Sequence, residues 1–201
     1  MITILDYGIG NLYSLYASLR HINVDCTITR DESVIKKADR LLLPGVGAFG
    51  DAIATLQQSG LDRLVLEHAQ KGKPLIGICL GMQLLFDTST EYGLHKGLGL
   101  IPGDIVQFDK SKVKIPHIGW NKLKKEKETI LLDGVADNSY VYYVHSYYKA
   151  FSPDYTTAST NYEGMRFSGI VQKDNVYGVQ FHPEKSGKVG LKILSNFVKN
   201  S

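Results

Sequence analysis

The chain has 201 residues but only two cysteines, three methionines and one tryptophan. The cysteines, Cys26 and Cys79, lie in different apolar settings with no CxxC or ligand spacing between them. That excludes a disulfide framework and a zinc ribbon, and two free thiols in a reducing cytoplasm are expected. The opening residues, Met1-Ile2-Thr3-Ile4-Leu5-Asp6, lack the basic region and long apolar stretch of an export signal. No apolar run approaches the roughly 20 residues a membrane span needs. The net charge is only +3 and its carriers are scattered. The densest charged run, Lys122 to Glu128, alternates in sign and reads as a solvated face, not a nucleic-acid patch. Gly8-Ile9-Gly10 lacks the third glycine of a dinucleotide fingerprint, since Tyr13 stands there, and there is no Gly-Lys-Ser/Thr phosphate loop. The six histidines contain no HExxH or paired spacing, so neither a metal nor a cofactor is expected.

What is present is a rhythm. Ile2–Leu5 reads as a strand, and Leu12, Leu15, Leu19 and Ile22 follow at helical spacing. Val24–Thr29 and Arg40–Leu43 read as further strands, the latter stopped by Pro44-Gly45. Helical stretches around Ala52–Gln58 and Leu61–Gln70 come next. Pro74–Ile78 is then apolar at nearly every position, as in a strand buried on both faces of a parallel sheet. This alternation predicts an α/β fold with an open, mostly parallel, doubly wound sheet of flavodoxin-like type. After Gly103 short strand candidates follow one another: Ile105–Phe108, Ile130–Leu132, Val141–Val144, Thr156–Thr160, Phe167–Gln172 and Val176–Phe181. Asp174-Asn175 is a hairpin turn between the last two. These predict an added antiparallel set on the same core, closed by a helix over about Val189–Val198. The glycines at 93, 97, 99 and 103 read as turns. With no linker, repeat or low-complexity segment, residues 1–201 read as a single domain.

The most informative pentapeptide is Gly77-Ile78-Cys79-Leu80-Gly81. It follows a buried strand and precedes a helical pattern of Met82, Leu85 and Phe86, the setting of a strand-to-helix nucleophile elbow. Flanking glycines remove Cβ atoms that would clash at so sharp a turn. Partial positive charge at a helix N-terminus favours a thiolate, and the Leu80 N–H is left free to meet an oxyanion. A buried structural cysteine is the alternative for any free thiol; it suits Cys26, within its strand, better than Cys79. Downstream, Gln180-Phe181-His182-Pro183-Glu184 ends a strand. His182 is a general base for Cys79 and an acid for a departing amine. Glu184, two residues on in extended backbone, falls on the same side and orients the imidazole. Pro183 discourages helix between them. A second oxyanion donor is expected from the glycine-rich Leu43-Pro44-Gly45-Val46-Gly47 loop, at Val46 or Gly47.

Three segments together, Gly-Ile-Cys-Leu-Gly-Met-Gln, Pro-Gly-Val-Gly and Phe-His-Pro-Glu-Lys-Ser, resemble the class I (triad) glutamine amidotransferases. More narrowly, the chain is similar to the glutaminase subunits of imidazole glycerol phosphate synthases, from histidine biosynthesis. That match rests on Asp6-Tyr7-Gly8-Ile9-Gly10-Asn11-Leu12, Pro116-His117-Ile118-Gly119-Trp120-Asn121, Tyr143-Val144-His145-Ser146-Tyr147 and Pro183-Glu184-Lys185-Ser186, which span nearly the whole chain in order. The resemblance implies a triad of Cys79, His182 and Glu184 that hydrolyses L-glutamine through a γ-glutamyl thioester. It implies oxyanion donors at Leu80 and in Val46–Gly47, and glutamine contacts at Gln83 and the Ser146–Tyr147 backbone. It also implies a (β/α)₈ cyclase partner that receives the ammonia, with Trp120, Asn121 and Lys185 near the interface.

Physically, Trp120 in a Gly-Trp-Asn loop fits either a partner hot spot or a core plug. His117 and His145 read as packing or hydrogen-bonding residues, and the tyrosines at 140, 142, 143, 147 and 148 as fillers of strand faces. Three competing readings are a glutaminase serving another ammonia-using synthase, a cysteine hydrolase on the same sheet, and a binding module that keeps only the fold.

Overall fold

In the computed structural model, which describes residues 1–200, the first half of the chain builds a parallel sheet and the second half extends it. Strands β1 (Ile2–Leu5), β2 (Cys26–Thr29), β3 (Arg40–Leu43) and β4 (Leu75–Ile78) alternate with α1 (Leu12–His21), α2 (Glu32–Lys37), α3 (Phe49–Gln58) and α4 (Leu61–Gln70). The short helix α5 (Leu80–Leu84) follows β4 directly. Later come β5 (Phe86–Ser89), β6 (His95–Lys96), β7 (Ile101–Gln107), β8 (His117–Lys125), β9 (Ser139–His145), β10 (Tyr147–Lys149), β11 (Thr156–Tyr162), β12 (Met165–Lys173), β13 (Val176–Val179) and α6 (Gly187–Asn200).

Nine strands form the main sheet in the order β2-β1-β3-β4-β13-β12-β11-β8-β9. The first five are mutually parallel and the remainder antiparallel. The parallel part has the 2-1-3-4-5 order of flavodoxin-like folds, which gathers functional loops at the carboxyl ends of the strands. Strands β1, β4 and β13 are buried throughout, the reason their sequences run apolar on consecutive positions. One core packs α1 and α6 on one face, with Leu15, Leu19, Ile193 and Phe197. The other packs α3 and α4, with Phe49, Leu56, Leu64 and Val65. Among the described residues no helix is long and apolar enough to cross a membrane.

The expected sheet, with its parallel part and added antiparallel set, is what forms. Several local expectations differ. Val24 precedes β2, which begins at Cys26, and Cys26 is half-buried. Helix α2 has no counterpart in the sequence reading; Asp31 caps it by accepting from the N–H groups of Ser33 and Val34. Phe86 is a strand residue rather than the end of a helix. It opens β5 of a small second sheet, ordered β10-β7-β5-β6, and its carbonyl accepts the Gly99 N–H at 3.1 Å. Ile130–Leu132 is a turn of 3₁₀ helix with Leu131 and Leu132 buried; three apolar residues cannot by themselves distinguish strand from helix. Gly103 lies inside β7 at φ +122°, not in a turn. Gly119-Trp120-Asn121 lies in the long strand β8, paired residue for residue with β9, and not in a loop. Gly119 at φ +131° mimics a turn locally, but seven paired positions decide the outcome.

Candidate active site

Cys79 sits between β4 and α5 with φ +55° and ψ −112°. A non-glycine residue holds such a backbone only where its surroundings over-determine it, and here they do. The Cys79 N–H donates to the Val179 carbonyl of β13 at 2.8 Å, and its carbonyl accepts the Gln83 N–H at 3.2 Å. The neighbouring glycines are sterically required. A Cβ on Gly81 would lie 1.9 Å from the Leu43 carbonyl oxygen, and one on Gly77 2.5 Å from that of Gly81. A Cβ on Gly45 would meet the Gly81 nitrogen at 2.6 Å, so the Pro44–Gly47 loop abuts the elbow directly. Helix α5 spans only five residues, so electrostatic help at its start comes from the local N–H groups, Leu80 first among them, more than from a long dipole.

His182 lies alongside, three residues past the end of β13, and Pro183–Lys185 form a turn of 3₁₀ helix instead of the extended backbone expected, since proline is tolerated at the first position of a helical turn. His182 lines the cleft with Cys79, and its Nδ1–H donates to Glu184 Oε1 at 2.8 Å. Both His182 and Glu184 side chains are nearly inaccessible to solvent. Burial alone would push the His182 imidazole down, but its interactions with the neighbouring Cys79 and Glu184 raise it to about 10. Ser186 locks the turn that holds the pair. Its hydroxyl donates to the His182 carbonyl at 2.6 Å and accepts the Tyr142 N–H at 2.9 Å, tying the turn to β9.

These residues open onto a cleft of about 310 Å³ lined by Asn11, Val46, Gly47, Cys79, Leu80, Gln83, Glu91, His145, Ser146, Tyr147, His182 and Lys185, with Val144. Nine of the twelve residues singled out from the sequence therefore line it, drawn from four separate segments, and Glu184 lies behind His182. Gly47 has φ +89° and nothing within 4 Å of where a Cβ would be, and Val46 is 41% exposed. The loop is anchored upstream, where the Tyr7 hydroxyl donates to the Pro44 carbonyl at 2.8 Å. Gln83 donates from Nε2 to the Tyr147 carbonyl at 2.8 Å and to Gln180 Oε1 at 3.1 Å.

Trp120 and Asn121 lie outside the cleft. Trp120 is 55% exposed on the outer face of β8, edge-on to Tyr142. It does not plug the core. Ile118 and Tyr140 are exposed beside it, since even-numbered residues of β8 and β9 alternate outward. The Lys185 Nζ lies 6.0 Å from the Tyr142 ring, so Lys185 joins this face to the cleft.

Sequence reasoning passed over three residues of the site: Glu91, Gln180 and Asn11. Among the described residues Glu91 is the one carboxylate that lines the cleft, Glu184 lying behind His182. Burial raises its carboxyl above the usual range, against the Phe49 N–H that donates to it at 2.7 Å. Gln180 is fully buried, two residues before His182, and its amide faces the Cys79 sulfur at 4.0 Å. The adjacency of Gln180 to the triad strand was the one available signal; nothing local marked Glu91.

A buried thiol on a strained elbow, a buried His–Glu pair and a cleft bordered by a glycine loop are the arrangement of a cysteine hydrolase of doubly wound α/β type. The family model for class-I glutamine amidotransferases matches residues 3–201, and the chain belongs to that family. Curated relatives narrow it further. The chain is 49% identical over 197 residues to the imidazole glycerol phosphate synthase subunit HisH of Bacillus cereus (strain G9842), covering 98% of this chain and 93% of that one. It is 50% identical over 199 residues to the HisH subunit of Methanosarcina barkeri (strain Fusaro / DSM 804), covering 98% and 97%. Among solved structures, PurLQS from Thermotoga maritima superposes with a TM-score of 0.74 at 19% identity, over 98% of this chain and 96% of that one. The glutaminase domain of CTPS from Trypanosoma brucei, with bound acivicin, gives 0.69 at 15%, over 100% and 94%. At those identities the structural likeness speaks for the fold.

Proposed function

We propose that this chain, a single glutamine amidotransferase domain, is the glutaminase subunit of an imidazole glycerol phosphate synthase. In this reading it hydrolyses L-glutamine to glutamate and ammonia and passes the ammonia to a (β/α)₈ cyclase subunit. The observation that carries the chemistry is the Cys79–His182–Glu184 line at the floor of the cleft. Cys79 Sγ attacks the side-chain amide carbon of glutamine, and the carbonyl oxygen becomes an oxyanion. The Leu80 N–H meets it, with a second donor from Val46–Gly47. His182, held charged by its two partners, gives a proton to the leaving nitrogen, and ammonia departs as the thioester forms. The imidazole then takes a proton from water, which attacks the thioester; glutamate leaves and the thiol is restored. Glu184 keeps the Nδ1–H tautomer throughout. Gln83 and the Ser146–Tyr147 backbone hold the amino-acid end, and Glu91 is placed to receive the α-ammonium.

For the partner, the support is the outer face of β8 and β9. Trp120, Ile118 and Tyr140 form an exposed apolar patch with Lys185 at its edge, continuous with the cleft mouth. The test takes the isolated chain and the chain with its cyclase. A glutamine-derived diazo-ketone should label Cys79 alone. Cys79→Ala should lower ammonia release on the order of 10⁴-fold or more while leaving cyclase binding intact. Addition of the cyclase with its ligand should raise glutamine turnover. Normal turnover by Cys79→Ala would end the mechanism, and equal rates with and without cyclase would end the coupling.

A further inference from the structure

Beneath the cleft wall, an unbroken line of buried polar side chains leads from the Cys79 site to β8. The Tyr147 carbonyl, which accepts from Gln83, also accepts from His145 Nδ1 at 2.9 Å. A carbonyl can only accept, so His145 carries its proton on Nδ1 and its Nε2 is bare. Nε2 lies 3.1 Å from His117 Nδ1, which must therefore be the donor. His117 Nε2 is then bare in turn and faces the Asn121 side-chain amide nitrogen at 3.4 Å. The orientation of that amide is set independently, because Asn121 Nδ2 donates to the Asn161 carbonyl at 3.0 Å while its Oδ1 accepts the Lys122 N–H at 2.8 Å. The proton positions are therefore dictated identically from both ends. Burial pushes His117 down to about 4 and His145 down to about 3, so both rings are neutral near pH 7. Both are also clamped: His117 lies between the stacked rings of Tyr143 and Tyr162, and His145 packs on Phe108 and Phe167.

We infer that Asn121, His117 and His145 form a polarity-locked hydrogen-bond relay that positions the Tyr147 carbonyl and Gln83 for glutamine, and through which the β8 edge sets glutamine affinity. The three are positioning residues; none touches the reacting atoms. Reversal would put a proton on His145 Nε2 and leave bare Nδ1 facing the Tyr147 oxygen, two acceptors in opposition. That would release the carbonyl and with it Gln83, whose second bond goes to Gln180 beside the Cys79 sulfur. Reversal also requires an acceptor at the Asn121 end. The wild-type amide supplies a donor instead, so the outermost residue of the relay chooses its direction. This deepens the glutaminase reading above and rests on it for the ligand.

The experiment separates the two. In the ¹⁵N-histidine-labelled full chain, both His117 and His145 should show the neutral Nδ1–H form. Asn121→Asp, which offers an acceptor to His117, should convert His145 to Nε2–H or charge His117. Asn121→Ala, which removes the donor without imposing a reversal, should leave His145 as it is. In a Cys79→Ala background, where turnover is absent, calorimetry reads glutamine binding directly. Asn121→Asp should weaken it about five-fold, the loss of roughly one buried hydrogen bond, and Asn121→Ala less than two-fold. An Nε2–H wild-type histidine at either position overturns the relay, whether or not the variants fold. Equal affinities for Asn121→Asp and Asn121→Ala overturn it too, since a packing role would make the smaller side chain at least as harmful. If Cys79→Ala binds no glutamine at all, the glutaminase reading fails while the tautomers still report on the relay.

Discussion

The two loops that meet over the cleft are built to opposite standards of rigidity. Around Cys79 every degree of freedom is removed. Gly77 and Gly81 sit where a Cβ would strike backbone, and the Cys79 N–H is tied to β13. His182 and Glu184 are shielded and cross-braced by Ser186. The Pro44–Gly47 loop is firm only at its base, through Tyr7 and the contact of Gly45 with α5. Its tip, with Val46 exposed and Gly47 at positive φ in open space, has little to hold it. Cys79 is thus firmly mounted, while the Val46–Gly47 peptide, proposed above as the second oxyanion donor, has few contacts to fix it. If the second oxyanion donor comes from Val46–Gly47, as proposed above, the conformation of that loop sets the rate.

The contrast can be broken most severely on the rigid side. Glu184→Gln keeps the shape but removes the charge that orients and stabilises the His182 imidazolium, and kcat should fall on the order of 10³- to 10⁴-fold. It should also alter the pH dependence of stability. His182 is raised from about 6.5 unfolded to about 10 folded, so its contribution is whole below about pH 6.5 and is lost as pH climbs toward 10. A thermal-melt series across that window should show a declining wild-type advantage over Glu184→Gln; a constant difference would contradict the ion-pair account. Next in size is Gly81→Ala. Its Cβ would collide with the Leu43 oxygen, so a destabilisation of about 3 kcal/mol is expected, read as a lowered denaturation midpoint. A neutral Gly81→Ala would show that the elbow is looser than its geometry.

Smaller effects belong to the loosely held side. Gly47→Ala meets no neighbour, so its cost is the positive φ alone, about 1 kcal/mol. Stability should change little while cyclase-stimulated turnover changes more than glutamine KM. If both kinetic constants stay at wild-type values, loop conformation does not limit the rate. Tyr7→Phe removes only the hydroxyl bond to Pro44, and about 1 kcal/mol of stability should go, a melting shift of roughly 2–4 °C.

How legible each feature was followed from how local its cause is. The parallel half reads well because β1, β3 and β4 are buried on both faces and the helices between them keep one apolar stripe. The elbow reads well because steric demands at a sharp turn act within five residues. The second sheet did not read, because β5 and β6 are short and take their geometry from partners such as β7. Strand β8 hid behind a glycine at positive φ, since its pairing with β9 lies outside any local window. Glu91 carried no local sign, being an acidic residue before an exposed tyrosine and glycine.

By itself the chain's sequence determined the α/β rhythm and the glycine-flanked turn that carries Cys79. Those depend on periodicity and on glycine sterics, both short-range, whereas the His182–Glu184 pairing comes from a 3₁₀ turn and not from the strand alternation expected. Only the tertiary structure decided that Trp120 faces outward, that Glu91 joins the cleft, that Gln180 is buried against Cys79, and that two histidines 28 residues apart share one proton direction. Burial and hydrogen-bond polarity belong to neighbours that the fold brings together, and no stretch of sequence contains them.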